Sequence, residues 1–598
     1  LITTYIGKTQ GFHGPVAASV TLDEQARVIG VEADFNTHAR VGRLAIERMQ
    51  EKMLAAQSVD VDAVTGVTSS SIAFKQAAKK AVALAQGEIS AQEAEDLNFK
   101  LAIDGPKVKA DFDAEGTPLN TSDIQAYVAA NAVDSYRVSY DLVVIGSGGA
   151  GLAAAVQAAE EGLSVLILEK AGIPGGTTNF SGGVVQASGT KYQKEMTKFT
   201  NDTAQNHADY YLQAAEGLAD RDLVTDLTKH AGQNITWLEE MGVKWISVYG
   251  NNHVPYIADK VHADRIHVNS GGGAATDGVL LTQALLKNAL SLGVKVSYEN
   301  SVQALIFDTE RKEVVGVKAA RGYYQAKKAV LIATASIDHN PALAKDLSPQ
   351  HYADLKNKAC MSISTDTGDG LILGQSVNAA LCGLGGTIDF DGRTGNATNN
   401  QMPTIPSFFV NAAGRRFVCE DATYAYGFRE IFHEESKFQK PTYMIFADSS
   451  LKAPASPWNA ESLAADIKKG LVVSADSIEA LAQKIGVDAR GLAKTLQDWN
   501  ELAVRHQDPE FGRQMGLEPL AGKYFAYQNR ASNLGSLGGL KINVKGQVLD
   551  IHDQVIPGLY AAGLAAGGWM GTYYPGSGTA LAGIIHQGRR AAHSIAQI

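Results

Sequence analysis

The stretch YDLVVIGSGGAGLAAAVQAAEEGLSVLILEK, Tyr140 to Lys170, restricts the fold more than any other part of the chain. Tyr140–Ile145 is an apolar run of the kind buried on both faces of a parallel sheet. Gly146-Ser147-Gly148-Gly149-Ala150-Gly151 then fits G-x-G-x-x-G, and an Ala-rich helical segment leads to a second apolar strand. Gly146 makes the tight turn, Gly148 lets backbone approach a pyrophosphate, and Gly151 lets helix and strand pack closely. The helix N-terminus faces the phosphate charge. Glu169 closes the second strand about 20 residues on, where its carboxylate can accept from ribose hydroxyls. Strand, turn, helix and acid together predict a dinucleotide-binding βαβ unit.

The remaining composition sets the surroundings of that unit. The chain has 598 residues, 45% of them hydrophobic and 19% charged, enough for several domains. A net charge of −10 leaves no basic footprint, so nucleic acid is not an expected partner and a small organic substrate is. Cys360, Cys382 and Cys419 are far apart and form no Cys-x-x-Cys, which argues against iron–sulfur clusters, c-type haem and a disulfide framework. No apolar run approaches the roughly 18 residues a membrane span needs. Because the chain opens on Leu1 and not on Met, an upstream start or a removed segment is expected.

Along the chain, Gly11 to Phe35 carries two alternating apolar runs joined by DEQAR, a β-hairpin pattern. A helix is expected from near Ile72 to Gly87. Residues 1–90 are thus expected to form a small α+β unit, followed by a linker over 91–139 with a short helix near Ile124–Ala132. The nucleotide-binding domain is expected over 140–379 and again over 535–598. Residues 380–534, with interspersed Pro, Asn and aromatics, read as an inserted α+β capping domain. The fold class is α/β.

GIPGGTTNFSGGVV after the second strand, the turn Thr367-Gly368-Asp369-Gly370, and Gly558-Leu559-Tyr560-Ala561-Ala562-Gly563 occur in this order. Together they resemble the fumarate reductase flavoprotein superfamily, including its urocanate reductase-like members. The resemblance implies non-covalent FAD held by Gly146, Gly148, Gly149, Ala150, Gly151, Glu169, Lys170, Gly176, Thr177, Thr178, Ser181, Gly182, Gly183, Asp369, Gly563, Thr579, Ala580 and Leu581.

Upstream, Asp62-Ala63-Val64-Thr65-Gly66-Val67-Thr68-Ser69-Ser70-Ser71 resembles the acceptor motif of FMN-binding domains, with Val67 where that family usually has Ala. The resemblance implies FMN contacts at Asp62, Thr65 and Gly66, and a phosphoester joining FMN to the Thr68 hydroxyl. FMN would then relay electrons to FAD from a separate reductase or NADH-linked flavin reductase.

The fumarate reductases carry GKRF-x-NE and then T-T-R, whose arginine donates the proton, and a later arginine grips a carboxylate. Here the first stretch is Gly414-Arg415-Arg416-Phe417-Val418-Cys419-Glu420-Asp421-Ala422-Thr423-Tyr424, and Tyr424 stands in the donor's place. Tyr574 stands about where the gripping arginine would be, and Asn533–Gly539 lacks the family's substrate histidine. Arg offers a charged bidentate fork for carboxylates, whereas Tyr offers one directional hydrogen bond and an apolar ring. Tyr574-Pro575-Gly576-Ser577-Gly578 and Tyr424 resemble the ketosteroid dehydrogenases.

These residues imply an ene-reductase acting on an enone, an aromatic enoate such as hydroxycinnamate, or a vinylphenol, with Tyr424, Tyr574 and Gly578 at the reacting centre. A ketosteroid-type dehydrogenase, a fumarate- or urocanate-type reductase, and a non-catalytic two-flavin electron carrier stand as alternatives. Arg265-Ile266-His267 either lines the flavin or substrate or is structural. His253, His262 and His267 lack metal-ligand spacing, so no metal is expected. The pairs Lys79-Lys80 and Lys327-Lys328 read as solvated faces.

Overall fold

Alternation in the N-terminal segment buries Val16, Ala18, Val20 and Leu22 on one face of an antiparallel sheet. That sheet joins Thr3–Gln10, Pro15–Leu22 and Val28–Asp34, under the helices Arg40–Ala56 and Thr68–Ala85. Asp23 closes the hairpin turn by accepting from the backbone N–H groups of Gln25 and Arg27, both at 2.9 Å. The computed structural model describes residues 2–11, 14–34, 40–103, 124–394 and 405–598. Phe12, His13 and Phe35 of the expected hairpin, residues 104–123 of the expected linker, and 395–404 of the expected insertion therefore lie outside the described residues. The second helix starts at Thr68, four residues before the expected Ile72.

Lys80 corrects the expectation of a solvated lysine pair. It is fully buried, and its ammonium donates to Lys8 O at 2.7 Å and Asp96 O at 2.6 Å. Lys79 is only partly exposed and pairs with Asp60 at 2.5 Å. Lys80→Ala should cost about 2–4 kcal/mol through the cavity and two unpaired carbonyls. Lys79→Ala should cost about 0–1 kcal/mol. Denaturant unfolding of the two variants checks the contrast.

The large body is built on a nine-stranded sheet in the order 295–297, 165–168, 138–145, 322–332, 313–319, 302–308, 128–129, with Val555–Ala561 also pairing on 322–332 and Gln547–Leu549. Val138–Ile145 lies parallel to both Val165–Leu168 and Gly322–Ile332. The helix Gly149–Glu160 covers the sheet and is crossed by Thr579–Ala596, so closely that a Cβ at Gly588 would lie 2.3 Å from Ala150 O. Mixed α/β architecture is thereby established.

The expected helix at Ile124–Ala132 is replaced by a two-residue strand, Val128–Ala129, and a 3₁₀ turn at Ala130–Ala132. Backbone pairing with Ile306 and Phe307, and the Tyr127 ring set edge-on to Phe307 at 5.5 Å, outweigh the local alanine preference.

Thr387–Asp391 pairs with Ala531–Ser536, and between them the chain makes a long excursion. There Phe408–Val410, Tyr443–Ala447, Tyr524–Gln528 and Val472–Ala475 form an antiparallel sheet with its own core around Phe408, Leu492 and Trp499. The helix Tyr424–Phe438 belongs to this excursion and presents its first residue to the body below. Among the described residues no helix is long and apolar enough to cross a membrane.

Candidate active site

The turn after the strand Val138–Ile145 opens onto a cavity of about 380 Å³. Gly146 has φ of +100°, and a Cβ there would lie 2.5 Å from Ala333 O; at Gly151 it would lie 2.0 Å from Gly146 O. Gly151 therefore serves helix–strand packing and does not line the cavity, whereas Gly146, Gly148, Gly149 and Ala150 do. Thr178 accepts from Gly149 N–H at 3.1 Å and fastens the next loop, whose Gly176, Thr177, Ser181, Gly182 and Gly183 also form the wall.

Glu169 lies in that wall. It accepts from Ser147 N at 2.8 Å, Ser147 Oγ at 2.6 Å and Ala171 N at 2.6 Å, while burial raises its pKa against those bonds. Lys170 reaches across to Asp369 at 2.9 Å and Thr367 at 2.7 Å. Gly563, Ala580 and Leu581 close the far side. Thr579 does not line the cavity; its hydroxyl accepts from Gln186 Nε2 at 3.1 Å. Thr334 and Asp366 line it too and were not singled out by the sequence. The buried Thr334 hydroxyl has no hydrogen-bond partner among the described residues. Bare glycine backbone at a helix N-terminus, a carboxylate at the end of the second strand and an unpaired hydroxyl fit a flavin dinucleotide.

At the other end, two segments distant in sequence bring phenols together. Tyr424 begins its helix, and the Thr423 before it is tied by its N–H to His253 O at 3.2 Å and by its hydroxyl to Asn252 O at 2.9 Å. The Tyr574–Gly578 loop is held by Tyr210 Oη and Asn251 Nδ2, which both donate to Pro575 O, and by Gln186 Nε2 donating to Ser577 O. Gly578 has φ of +84°, and a Cβ there would crowd Gln186 N at 2.9 Å.

In this frame the Tyr424 hydroxyl lies 3.0 Å from Ser577 Oγ, and the Tyr424 and Tyr574 rings are 6.3 Å apart. The Tyr574 hydroxyl accepts from Ala580 N–H at 3.4 Å. Burial, reinforced by the neighbouring Tyr574, pushes the Tyr424 phenol well above 10, and burial also raises Tyr574. Tyr249 and Ser577, both missed in the sequence, line the same end with Ile388, Phe390 and Leu534.

Among the described residues lining the cavity none is an arginine or a histidine, and Lys170 is the one cation. Arg416 is held by Glu420 at 2.7–2.8 Å and Asp508 at 2.8 Å, away from the cavity lining. Arg265 is paired with Asp202, and His267 lies between Thr190 Oγ1 at 2.7 Å and Arg265 O at 2.8 Å, with burial lowering its pKa to about 4. Of the two readings of Arg265–His267, the structural one therefore holds.

The Asp62–Ser71 motif lies against the outer wall of the cavity. Thr65 O accepts from Gly172 N at 3.0 Å, and Lys52 pairs with Glu299 at 2.9 Å. Gly66 has φ of +90° and leaves no room for a side chain beside Ile363, whose other surroundings include the cavity. Thr68 is buried in the first turn of its helix, while Asp62 and Thr65 are exposed.

A Rossmann-type nucleotide cavity ending in a phenol-lined pocket, with an α+β unit docked on its wall, defines a flavoprotein oxidoreductase. The chain belongs to the FAD binding domain family, which matches residues 141–581, and residues 11–83 match the FMN-binding domain family. It is 27% identical over 530 residues to digoxin reductase of Eggerthella lenta, covering 80% of this chain and 92% of that protein. It is 28% identical over 572 residues to NADH:fumarate oxidoreductase of Klebsiella pneumoniae, covering 92% of this chain and 54% of that longer protein. The solved 3-ketosteroid-Δ4-(5α)-dehydrogenase of Rhodococcus jostii RHA1, in complex with 4-androstene-3,17-dione, is 25% identical with a TM-score of 0.67. That match covers 79% of this chain and all of the other.

Proposed function

We propose that this flavoprotein reduces a carbon–carbon double bond conjugated to an oxygen: an enone, an aromatic enoate such as hydroxycinnamate, or a vinylphenol. The observation that carries the proposal is the pocket of phenols and apolar side chains without a guanidinium. A dicarboxylate buried there would lack paired charges, which is costly. When bound, FAD supplies the hydride that adds to the β carbon.

The chain's own residues do the rest. Tyr424 gives the α carbon its proton, completing the addition of hydride and proton across the double bond, and Ser577 at 3.0 Å is placed to hand a proton back. The Tyr574 hydroxyl already accepts from a backbone N–H, so its own proton is free to point at the substrate oxygen beside Gly578 N–H. FMN on Thr68 would pass electrons inward from a separate reductase, since Gly66 and the cavity share Ile363 as a wall. The solved relative bound to an enone-bearing steroid supports this polarity of site.

Anaerobically reduced protein should be reoxidised by members of an enone and hydroxycinnamate panel and not by fumarate. Tyr574→Phe should lower kcat/KM on the active member by about 10²–10³-fold, the loss typical of one oxyanion donor. Rapid reoxidation by fumarate would overturn the proposal, and reoxidation by no alkene would leave an electron carrier.

A further inference from the structure

We propose that Cys419, His253 and Asp421 form a binding site for one zinc-class divalent cation, beside the segment that positions Tyr424. Spacing along the chain gave no sign of it, because 166 residues separate the histidine from the cysteine. In space Cys419 Sγ lies 3.5 Å from His253 Nε2 and 3.1 Å from Asp421 Oδ1, and the nitrogen and carboxylate oxygen are 3.8 Å apart. A tetrahedral ion with bonds of ~2.3 Å to sulfur and ~2.0–2.1 Å to nitrogen and oxygen sets its ligands about 3.3–3.6 Å apart. The three edges, at 3.1, 3.5 and 3.8 Å, bracket that range, so an ion fits between the ligands with small side-chain adjustments.

The surroundings are built to hold such ligands. Cys419 and Asp421 are completely buried and His253 is 15% exposed, so one edge opens toward solvent. Asp421 directs Oδ2 to the backbone N–H groups of Gln514 at 2.9 Å and Met515 at 2.8 Å, which orients Oδ1 toward the sulfur. Gly512 O, 3.1 Å from His253 Nε2, offers a fourth ligand atom. Arg513, a neighbouring guanidinium, directs its donors to Ser407 O, Ile405 O, Met515 O and Glu420.

A thiolate, an imidazole and a single carboxylate select zinc-like ions over Ca²⁺ and Mg²⁺, which take oxygen sets. Without the ion, burial and the Asp421 carboxylate hold the thiol protonated. Binding releases that thiol proton to solvent and shifts the imidazole proton from Nε2 to Nδ1, with no change of oxidation state. The second cluster of this kind, Asp226, His230 and His586, is a poorer host, because Arg590 already sits 3.3 Å from the same carboxylate.

An occupied site would tie 251–253 to 419–423. Those segments are already joined by Asn252 Nδ2 to Asp421 O at 3.0 Å and by Thr423 to Asn252 and His253. The test uses the two-flavin protein after treatment with a chelator, dialysed against Zn²⁺ and separately against Co²⁺. Wild type and Asp226→Asn should each bind one equivalent of Zn²⁺ that Cys419→Ser does not, and Zn²⁺ should raise the unfolding temperature of the first two alone. The Co²⁺ form should show tetrahedral, sulfur-ligated bands to the red of the oxidised flavins. Zn²⁺ uptake that is equal with and without Cys419 would overturn the proposal. Should Cys419→Ser lose its flavins on purification, the wild-type Co²⁺ spectrum alone decides: six-coordinate oxygen-type bands, or none, would equally overturn it.

Discussion

Tyr424→Phe should lower alkene-dependent turnover by about 10²–10⁴-fold, the range typical of a lost general acid, while FAD content stays at the wild-type level. The ring is preserved, so its contacts with Phe390 and Tyr574 survive and only the hydroxyl facing Ser577 is lost. A tyrosine that merely packs would therefore tolerate the change, and full turnover in Tyr424→Phe would rule out the proton-donor role. The pH profile supplies an independent check. Burial and the adjacent Tyr574 raise the Tyr424 phenol well above 10, so its protonated, donating form persists through neutral and mildly alkaline solution. Wild-type kcat should therefore show no alkaline decline from this group below about pH 10. Loss of activity between pH 8 and 9 would point to a different acid. The readout is stopped-flow oxidation of the reduced protein by the alkene, which isolates hydride and proton transfer from electron delivery.

What the sequence made legible was local. Gly146 to Gly151, Glu169 and the Gly176–Gly183 loop each announce themselves because a tight turn, a close helix and a phosphate-facing backbone demand particular residues at fixed spacing. The cavity walls follow those residues, save Gly151 and Thr579, which face packing partners. What stayed hidden depends on separate segments meeting. Tyr249 and Ser577 reach the Tyr424 that the sequence had singled out from distant places in the chain, with no shared period to mark them. Lys80 has the surface look of a Lys-Lys pair, yet its stem runs inward and its ammonium caps the carbonyls of Lys8 and Asp96. The strand at Val128–Ala129 forms because an edge was waiting at Ile306–Phe307, a fact no alanine-rich window contains. His253 meets Cys419 only after the long excursion has folded over the body.

Thr68→Ala should yield a protein that keeps FAD but carries no flavin attached to the polypeptide, and that has lost turnover driven by an electron-donating reductase. Folding should survive the change. Thr68 lies inside the first helical turn, the residue at the N-cap is Val67 with no side-chain capping bond, and alanine favours a helix interior. A helix N-terminus also suits a phosphoester, because its first backbone N–H groups and dipole favour phosphate charge. Denaturing the variant should release all of its flavin as FAD, whereas wild type should keep FMN bound to the chain through denaturation. Chemically reduced Thr68→Ala should still transfer its two electrons to the alkene at the wild-type rate, since Tyr424, Tyr574 and the FAD cavity are untouched. Ser69→Ala, one residue along and exposed, should leave both flavins in place. If Thr68→Ala retained chain-bound FMN, the attachment would lie elsewhere. If it lost FMN but kept donor-driven turnover, electrons would reach FAD without passing the N-terminal unit, and the docking of Gly66 on Ile363 would be structural alone.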